Sequence, residues 1–252
     1  MTILTMKMSR SKIAIVITAA GSSTRMGGGV KKEYLPLKNG TVLSNCAKTF
    51  LTACSQTFEI SDFIVTCPVG GIEACQKALG DLDFSDFPGG AGPSGGARGA
   101  GFEDIFQIVE GSTTRQKSVF NGLVAIKNHP EIVLIHDGAR PFVSEEIIRQ
   151  SVFTALEYGS CVPGCTPVDT QKEIDSDGFI VRHLQRSLLC AVQTPQTFNY
   201  EKLLQAHKKA LADKKEYTDD TEIWGNYCGR VKVIPGDPAN IKITYPGDLE
   251  KL

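Results

Sequence analysis

A stretch of small and basic residues follows an apolar run near the start of the sequence. The run at residues 13–17 reads IAIVI, and residues 18–36 continue as TAAGSSTRMGGGVKKEYLP. Small residues let backbone N–H groups approach an anion, and the side chains of Arg25, Lys31 and Lys32 can neutralise phosphate charges. The residue types therefore favour a phosphate-binding loop, with a solvated basic loop as the alternative.

Neither common glycine-rich nucleotide motif fits this loop. The dinucleotide pattern G-x-G-x-x-G fails because Ser23 stands where the second glycine is needed. The pattern G-x-x-x-x-G-K-[ST] fails because Met26 stands at the second glycine position counted from Gly21, and no Lys-Ser/Thr pair follows. A dinucleotide-dependent oxidoreductase is therefore disfavoured.

The first residues of the chain share features with a secretory signal peptide. Lys7, Arg10 and Lys12 precede an apolar run at residues 13–20, and residues 19–21 could pass for a cleavage site. The run lies near the lower limit of the roughly 7–15 apolar residues of such signals. The residues after Gly21 also form too specific a pattern to belong to the junction where a signal peptide is cleaved. We interpret the segment as part of the fold of a cytoplasmic protein. No later stretch has the roughly 18 apolar residues of a membrane span.

Composition excludes several classes of partner. The chain has 252 residues, is 41% hydrophobic and carries a formal net charge of −1. A general nucleic-acid partner is disfavoured because proteins that bind nucleic acid usually have a net basic surface. The eight cysteines contain no C-x-x-C pair and no zinc-binding spacing. We expect reduced, structural cysteines, as in cytosolic proteins.

Short apolar runs alternate with helical patterns along the chain. Buried strands are predicted at residues 13–18, 63–67, 105–109, 131–136 and 160–164. Apolar residues at helical spacing predict helices near residues 43–54 and 147–156, the second with Ser144 as its N-cap and Gly159 as its stop. Continuous apolar runs separated by helices imply a mainly parallel sheet covered on both faces. The sequence therefore predicts an α/β fold, a Rossmann-like three-layer α/β/α domain over residues 1–252.

Two segments depart from this alternation. Residues 85–101, SDFPGGAGPSGGARGAG, lack hydrophobic periodicity and are interpreted as a surface insertion. Residues 168–184 contain two alternating stretches around an Asp-Ser-Asp-Gly turn at residues 175–178, which predicts a β-hairpin. Because such a hairpin would stand apart from a parallel sheet, we expect an arm at about residues 165–188 that caps a site or reaches another subunit.

The glycine loop resembles the signature of sugar- and polyol-phosphate nucleotidyltransferases. The matching residues are Ala19, Ala20, Gly21, Arg25, Met26, Gly27, Lys32, Tyr34 and Leu35. More specifically, the loop is similar to that of the 2-C-methyl-D-erythritol 4-phosphate cytidylyltransferase family. The resemblance implies that residues 19–21 bind the nucleoside triphosphate, with Arg25 and Lys32 holding its phosphates and acting in catalysis. Lys31 is interpreted as a solvated neighbour.

Two later segments extend the resemblance. Residues 111–119, GSTTRQKSV, resemble the family's G-G-x-x-R-x-x-S-V segment, which reads the pyrimidine base, although serine replaces its second glycine. Residues 136–143, HDGARPFV, resemble H-D-A-A-R-P with glycine for the first alanine. The nucleotide-binding roles implied by these matches fall on Gly111, Ser112, Arg115, Ser118 and Asp137. Asp137 is also the implied Mg²⁺ ligand, since a carboxylate suits this hard cation, and His136 is expected to pack or hydrogen-bond rather than catalyse.

The remaining matches concern the second substrate, a polyol phosphate. Its implied binding residues are Arg140, Thr170, Arg186, Thr194, Thr218 and Lys242. Thr170 and Arg186 belong to the predicted arm, and Lys242, in the segment NIKIT, is implied to act in catalysis beside the reacting phosphates. For the three threonines, helix capping or strand packing is the alternative interpretation.

The resemblance implies a CTP-dependent cytidylyltransferase. Its substrates would be CTP and 2-C-methyl-D-erythritol 4-phosphate, its cofactor Mg²⁺, and its assembly a homodimer formed through the arm. Another polyol phosphate, such as ribitol 5-phosphate, is the alternative substrate. A non-catalytic nucleotide-binding protein is disfavoured, because binding alone does not need Arg25, Lys32, Asp137 and Lys242 together.

Overall fold

The computed structural model describes residues 10–23, 31–80, 82 and 102–251 of the chain. Arg25 and the predicted glycine-rich insertion at residues 85–101 lie outside the described residues. The catalytic role of Arg25 and the interpretation of the insertion therefore stay predictions.

The described residues form strands and helices in regular alternation over the first two thirds of the chain. The strands are β1 (Lys12–Thr18), β2 (Pro36–Leu37), β3 (Gly40–Thr41), β4 (Glu59–Cys67), β5 (Phe106–Glu110), β6 (Ile132–Asp137), β7 (Ser160–Cys165), β8 (Lys172–Ile174), β9 (Ile180–His183), β10 (Ala191–Val192), β11 (Gln196–Asn199) and β12 (Lys232–Pro235). The α-helices are α1 (Val42–Ser55), α2 (Ile72–Leu79), α3 (Phe102–Ile105), α4 (Arg115–Ala125), α5 (Glu145–Tyr158), α6 (Tyr200–Ala212) and α7 (Asp220–Tyr227). Short 3₁₀ helices cover Lys32–Tyr34, Arg186–Leu188 and Pro246–Lys251.

Eight of the strands form one mixed, mainly parallel sheet. Its order is β10-β7-β11-β6-β1-β4-β5, and β12 pairs with β7. β1 runs parallel to both β4 and β6, and β4 runs parallel to β5. β11 is antiparallel to β6 and to β7, between which it lies. The carboxyl ends of β1, β4, β5 and β6 therefore meet at one edge of the sheet, where α/β proteins bind their ligands.

Helices cover both faces of the sheet and give the protein three layers. Ile13, Ile15 and Ile17 of β1 pack in one core with α1, α2 and α5. Ala14 and Val16 pack in a second core with α4, α6 and α7. Because both faces are buried, β1 needs apolar residues at successive positions, which explains its unbroken apolar run. The predicted α/β fold is confirmed.

Capping groups fix both ends of α5, the helix that follows β6. Ser144 Oγ accepts a hydrogen bond from the N–H of Ile147, and Gly159 closes the helix with φ = +83°. Both features agree with the sequence prediction, and the left-handed φ explains the glycine. No helix among the described residues is long and apolar enough to cross a membrane.

The predicted hairpin forms a separate two-stranded sheet, β8–β9. The side chain of Asp175 accepts hydrogen bonds from the N–H groups of Asp177 and Phe179, and Gly178 adopts φ = +87° in the turn. The residues of both strands are exposed, and the exposed apolar side chains of the hairpin include Ile174, Phe179, Ile180 and Val181. The hairpin is therefore an arm whose apolar residues lie outside both cores.

All eight cysteines are described and none forms a disulfide. Five of them are buried, and burial raises the pKa of Cys54 to about 12. Thiols with such pKa values stay protonated and behave as small apolar side chains. The cysteines are free, as expected from the sequence.

Candidate active site

A cavity of about 440 Å³ opens at the carboxyl edge of the parallel strands. Thr18 at the end of β1 and Asp137 at the end of β6 are paired in register and both line it. The described residues that line it are Thr18, Ala20, Gly21, Ser22, Ser23, Lys32, Glu33, Ser112, Thr113, Thr114, Arg115, Ser118, Asp137, Ala139, Lys242 and Thr244. The predicted glycine loop, base-reading segment, Asp137 and Lys242 thus meet in one place, although they lie far apart in the sequence.

Asp137 lies at the centre of the cationic side chains. Its carboxylate is 2.6 Å from Lys242 Nζ, 3.5 Å from Arg115 Nε and 3.8 Å from Arg140 Nε. Thr18 Oγ1 donates to Asp137 Oδ1 at 3.4 Å. Burial alone would raise the pKa of Asp137, but Lys242, Arg115 and Arg140 outweigh burial and hold the pKa far below its usual range. The carboxylate is therefore ionised at every physiological pH.

A buried ion pair behind the cavity holds Arg115. Arg115 Nη1 donates to Asp220 Oδ2 at 2.7 Å, and His207 Nε2 lies 3.0 Å from Asp220 Oδ1. Asp220 and His207 are fully buried. Burial would raise the pKa of Asp220, yet the pKa is lowered, mainly by Arg115 and then by His207. Arg115 thus bridges two carboxylates, one in the cavity and one in the core.

Lys32 is buried at the edge of the cavity. Its Nζ donates to the carbonyl of Ile243 at 2.7 Å, and the N–H of Ile243 donates to the carbonyl of Ala139 at 2.9 Å. These bonds join the end of the glycine loop to the residues after β6 through the last segment of the chain. Lys32 and Lys242 therefore both line the part of the cavity that this last segment closes.

A chain of buried hydrogen bonds fixes the backbone at the end of β6. The N–H of Asp137 donates to Thr194 Oγ1 at 3.1 Å, and Thr194 Oγ1 lies 2.9 Å from His136 Nδ1. His136 Nε2 lies 3.1 Å from the carbonyl oxygen of Arg140. Because that oxygen accepts only, Nε2 carries the proton and Nδ1 accepts from Thr194. Burial lowers the pKa of His136 to about 4, so the ring is neutral and structural, as expected.

The predicted base-reading segment closes the cavity on the side of α4. Ser118 Oγ accepts from the N–H of Ser112 at 2.9 Å and donates to the carbonyl of Thr114 at 2.8 Å. A side chain at Gly111 would overlap Ala20 and come within 2.8 Å of Ser118 Oγ. Glycine at position 111 therefore lets this segment pack directly against the glycine loop, while Ser112 lines the cavity.

Two predicted substrate residues lie behind the cavity wall. Arg140 donates to the carbonyl of Asn240 at 2.7 Å, and Thr194 is buried behind Asp137. Both contacts support the end of β6 from inside the protein. Their roles in binding the polyol phosphate stay predictions.

Three other predicted substrate residues lie at the surface, away from the cavity. Thr218 is exposed and donates to Glu222 Oε2 at 3.1 Å. Thr170 and Arg186 are exposed in the arm, where Arg186 donates to the carbonyl of Val168 at 2.6 Å. A single chain does not bring these residues to the cavity, and their roles stay predictions as well.

Other residues of the site were not predicted from the sequence. Glu33 lines the cavity, accepts from Ser23 Oγ at 3.4 Å and has a pKa raised by burial. Asp220 lies two residues after Thr218, but no role was predicted for it. Its position beside Arg115 depends on tertiary packing, and the sequence carries no signal for that contact.

Comparison with known proteins points to one family. Its model, IspD: 2-C-methyl-D-erythritol 4-phosphate cytidylyltransferase, matches residues 13–251. A protein of that name from Clostridium novyi (strain NT) is 38% identical over 239 residues, which are 95% of this chain and 94% of the relative. Another from Clostridium botulinum (strain 657 / Type Ba4) is 35% identical over 239 residues, 95% of each chain.

Solved structures with the same fold carry related names. The crystal structure of 4-diphosphocytidyl-2C-methyl-D-erythritol synthase from Anaerococcus prevotii DSM 20548 is similar with a TM-score of 0.75 and 28% identity, covering 96% of this chain and 94% of that one. The 2-C-methyl-D-erythritol 4-phosphate cytidylyltransferase from Thermus thermophilus has a TM-score of 0.68 and 27% identity, covering 97% of both chains.

Proposed function

The chain belongs to the 2-C-methyl-D-erythritol 4-phosphate cytidylyltransferase family, and on that premise we propose how its cleft carries out the reaction. The protein is a CTP-dependent cytidylyltransferase of the non-mevalonate route to isoprenoid precursors. A phosphate oxygen of 2-C-methyl-D-erythritol 4-phosphate attacks the α-phosphorus of CTP. The bond from that phosphorus to the bridging oxygen breaks, and pyrophosphate leaves with the CDP-linked polyol as the other product. The names of the relatives do not favour ribitol 5-phosphate.

The observation that carries this mechanism is the convergence of cations around Asp137 in a cleft lined by small residues. Lys32, Arg115 and Lys242 line the cavity, against the two carboxylates of Glu33 and Asp137. Nucleotidyl transfer needs positioning and charge stabilisation more than covalent help from the protein. The attacking phosphate monoester has a second pKa of about 6 and is already ionised at neutral pH, so no general base is required.

Each cation has a distinct place in this proposal. Lys32, at the end of the glycine loop, stabilises the triphosphate and the leaving pyrophosphate, together with Arg25. Lys242 neutralises the charge that develops on the α-phosphate. Arg115 and Ser112 hold the nucleotide on the side of α4, where Ser118 fixes the backbone that meets the pyrimidine base.

Asp137 is the residue we propose to hold Mg²⁺. Mg²⁺ sites that include nucleotides typically use one or two carboxylates and complete the shell with phosphate oxygens and water. Asp137 offers one ionised carboxylate in the cavity, and no cluster of three or more His, Cys, Asp or Glu occurs among the described residues. The residues therefore fit a metal that would be held by Asp137 together with phosphate oxygens of CTP. When bound, the metal would add charge stabilisation at the phosphates.

The polyol phosphate is the substrate for which we propose a contribution from a second subunit. The arm stands apart from the main sheet and its apolar residues are exposed, which supports a homodimer formed through it. In such a dimer Thr170 and Arg186 would approach the partner's cleft and bind the second substrate there. Arg140 and Thr194 would support the wall of that cleft from behind Asp137. The free thiols support a reducing, cytoplasmic location.

A pyrophosphate-release assay with a panel of substrates tests the proposed function. The purified protein should release pyrophosphate with CTP and 2-C-methyl-D-erythritol 4-phosphate in the presence of Mg²⁺. Release should fall strongly with UTP, with ribitol 5-phosphate, or after removal of Mg²⁺ by a chelator. Equal rates with ribitol 5-phosphate would contradict the substrate, and full activity in the chelator would contradict the metal.

A further inference from the structure

Lys31 is not a solvated neighbour of the glycine loop, because its side chain is hydrogen-bonded to the backbone of the loop. Its Nζ donates to the carbonyl of Ala19 at 2.9 Å and also to the carbonyl of Gly21. The ammonium group lies 5.9 Å from the centre of the Tyr34 ring. Lys31 is half-buried, and burial lowers its pKa. The side chain therefore ties the end of the glycine loop back to its beginning.

The direction of these two carbonyls determines where the next N–H groups point. In a planar trans peptide the C=O of one residue and the N–H of the next point in opposite directions. With the carbonyls of Ala19 and Gly21 turned toward Lys31, the N–H groups of Ala20 and Ser22 turn away from it. Ala20, Gly21 and Ser22 line the cavity. Within the described part of the chain, neither N–H group has a backbone hydrogen-bond acceptor.

We propose that Lys31 is a positioning residue for the nucleoside triphosphate. It holds the carbonyls of Ala19 and Gly21, and thereby presents the N–H groups of Ala20 and Ser22 to phosphate oxygens in the cavity. Donors that are already oriented bind an anion without the entropy loss of ordering the loop. The inference rests on the proposed function, because the ligand is the phosphate chain of CTP.

Replacing Lys31 by methionine tests this role, because Lys31→Met keeps the aliphatic stem and removes the donors. Isothermal titration with CMP, CDP and CTP should show a Kd for CTP raised about 10- to 100-fold, as expected for weakened hydrogen bonds to a charged group. The Kd for CMP should change little, because CMP lacks the β- and γ-phosphates. Lys48→Met removes an exposed lysine of α1 and serves as the matched control.

A measurement on the free enzyme separates positioning from direct contact with phosphate. If Lys31 orders the loop, the NMR order parameters of Ala20 and Ser22 should fall from about 0.85 in the wild type toward about 0.6 in Lys31→Met before any nucleotide is added. Lys31→Arg, which can donate to both carbonyls, should restore the order parameters and the CTP affinity.

Three results would overturn the proposal. Wild-type affinity for CTP in Lys31→Met would remove any role, and equal losses for CMP and CTP would place the effect away from the β- and γ-phosphates. Unchanged order parameters combined with weak CTP binding would assign Lys31 to direct contact instead. A wild-type protein that fails to bind CTP would contradict the proposed function itself. That outcome differs from the three above, which contradict only the role of Lys31. If Lys31→Met does not fold, the comparison of Lys31→Arg with Lys31→Gln carries the same test.

Discussion

Lys242 reaches the cavity from the last segment of the chain and meets Asp137 at 2.6 Å. Its side chain keeps 35% of its surface exposed, so it contributes little to the packing of either core. We expect Lys242→Ala to lower kcat by about 10²–10³, the usual cost of one lost transition-state contact, while thermal unfolding stays close to that of the wild type. Steady-state kinetics and circular dichroism measure both.

Lys208→Ala is the control for this substitution, because Lys208 is exposed on α6. It should leave kcat unchanged. Near wild-type turnover in Lys242→Ala would contradict the catalytic assignment of Lys242.

His136 gives the protein a pH-dependent stability that is separate from catalysis. Its folded pKa of about 4 lies below the ordinary 6.5, so the unfolded chain binds this proton more tightly. The contribution of His136 to the free energy of unfolding is therefore complete above its ordinary pKa. It decreases as the pH falls toward the pKa of the folded state, by at most about 1.4 kcal/mol per pH unit. Urea denaturation should show that the free energy of unfolding falls less between about pH 7 and pH 4.5 for His136→Gln than for the wild type.

The difference between the two proteins isolates His136 from other titrating groups. Glu33, whose pKa burial raises, acts in the opposite direction, because protonation stabilises its folded form. It is present in both proteins and cancels in the difference. Parallel curves for wild type and variant would mean that the histidine does not titrate as the structure indicates.

The site residues that the sequence could predict are those carried by short continuous motifs. Asp137 and Arg115 each belong to such a motif, and strand ends in a parallel sheet place the two motifs at one edge. The interpretation of Lys31 as solvated was wrong, because a lysine beside a glycine loop gives no sign that its ammonium turns back to the carbonyls. The contact of Arg115 with Asp220 joins residues 105 positions apart and depends on how three helices pack.

At the level of elements, the Arg115–Asp220–His207 cluster connects the beginning of α4 with α6 and α7. The N–H of Asp220 also donates a hydrogen bond to Gln196 Oε1 at 3.0 Å, which links α7 to β11. Gln116 of α4 accepts from the N–H of Tyr217 at 2.8 Å, just before α7. The wall of the cavity that carries Arg115 is therefore supported by elements that do not themselves line the cavity.

Asp220→Asn should destabilise the fold and reduce activity together. It removes the charge of a fully buried carboxylate and leaves Arg115 only its longer contact with Asp137. Breaking a buried ion pair in this way costs about 3–5 kcal/mol. Chemical denaturation should show this loss. Glu201→Gln provides the matched control, because Glu201 pairs with His129 at 3.2 Å on the surface and exposed pairs contribute little. Equal effects of the two substitutions would contradict the supporting role of Asp220.

Within the main sheet, the strands that the sequence predicted were the ones with short apolar runs. β1, β4, β5, β6 and β7 were all predicted, although β4 begins at Glu59 rather than at residue 63. β11 was not predicted, because QTFN is short and polar. It is buried only because β6 and β7 pair with it from both sides, so its strand character comes from tertiary structure rather than from its own residues.

At the scale of the whole molecule, the net charge is close to zero although cationic side chains are concentrated at the cavity. The net charge of −1 gives no general attraction for an anionic substrate, so the electrostatic attraction for CTP must come from the cations gathered at the carboxyl edge of the sheet. Apolar side chains are also unevenly distributed over the molecule. The two cores are closed by helices on both faces, whereas the arm keeps its apolar side chains outside them.

The arm therefore makes a prediction about assembly. Val181 of β9 is 57% exposed in the single chain, so Val181→Asp should leave the fold intact while placing a charge in a dimer interface formed through the arm. Sedimentation velocity at micromolar concentration should give a dimer for the wild type and a monomer for the variant. Activity should fall about 10²-fold if Arg186 acts in the partner's cleft. Val124→Asp adds the same charge at a valine of α4 that is 56% exposed, and should change neither mass nor activity. A wild-type protein that is monomeric and fully active would contradict the role of the arm, because Arg186 would then have no second cleft to enter.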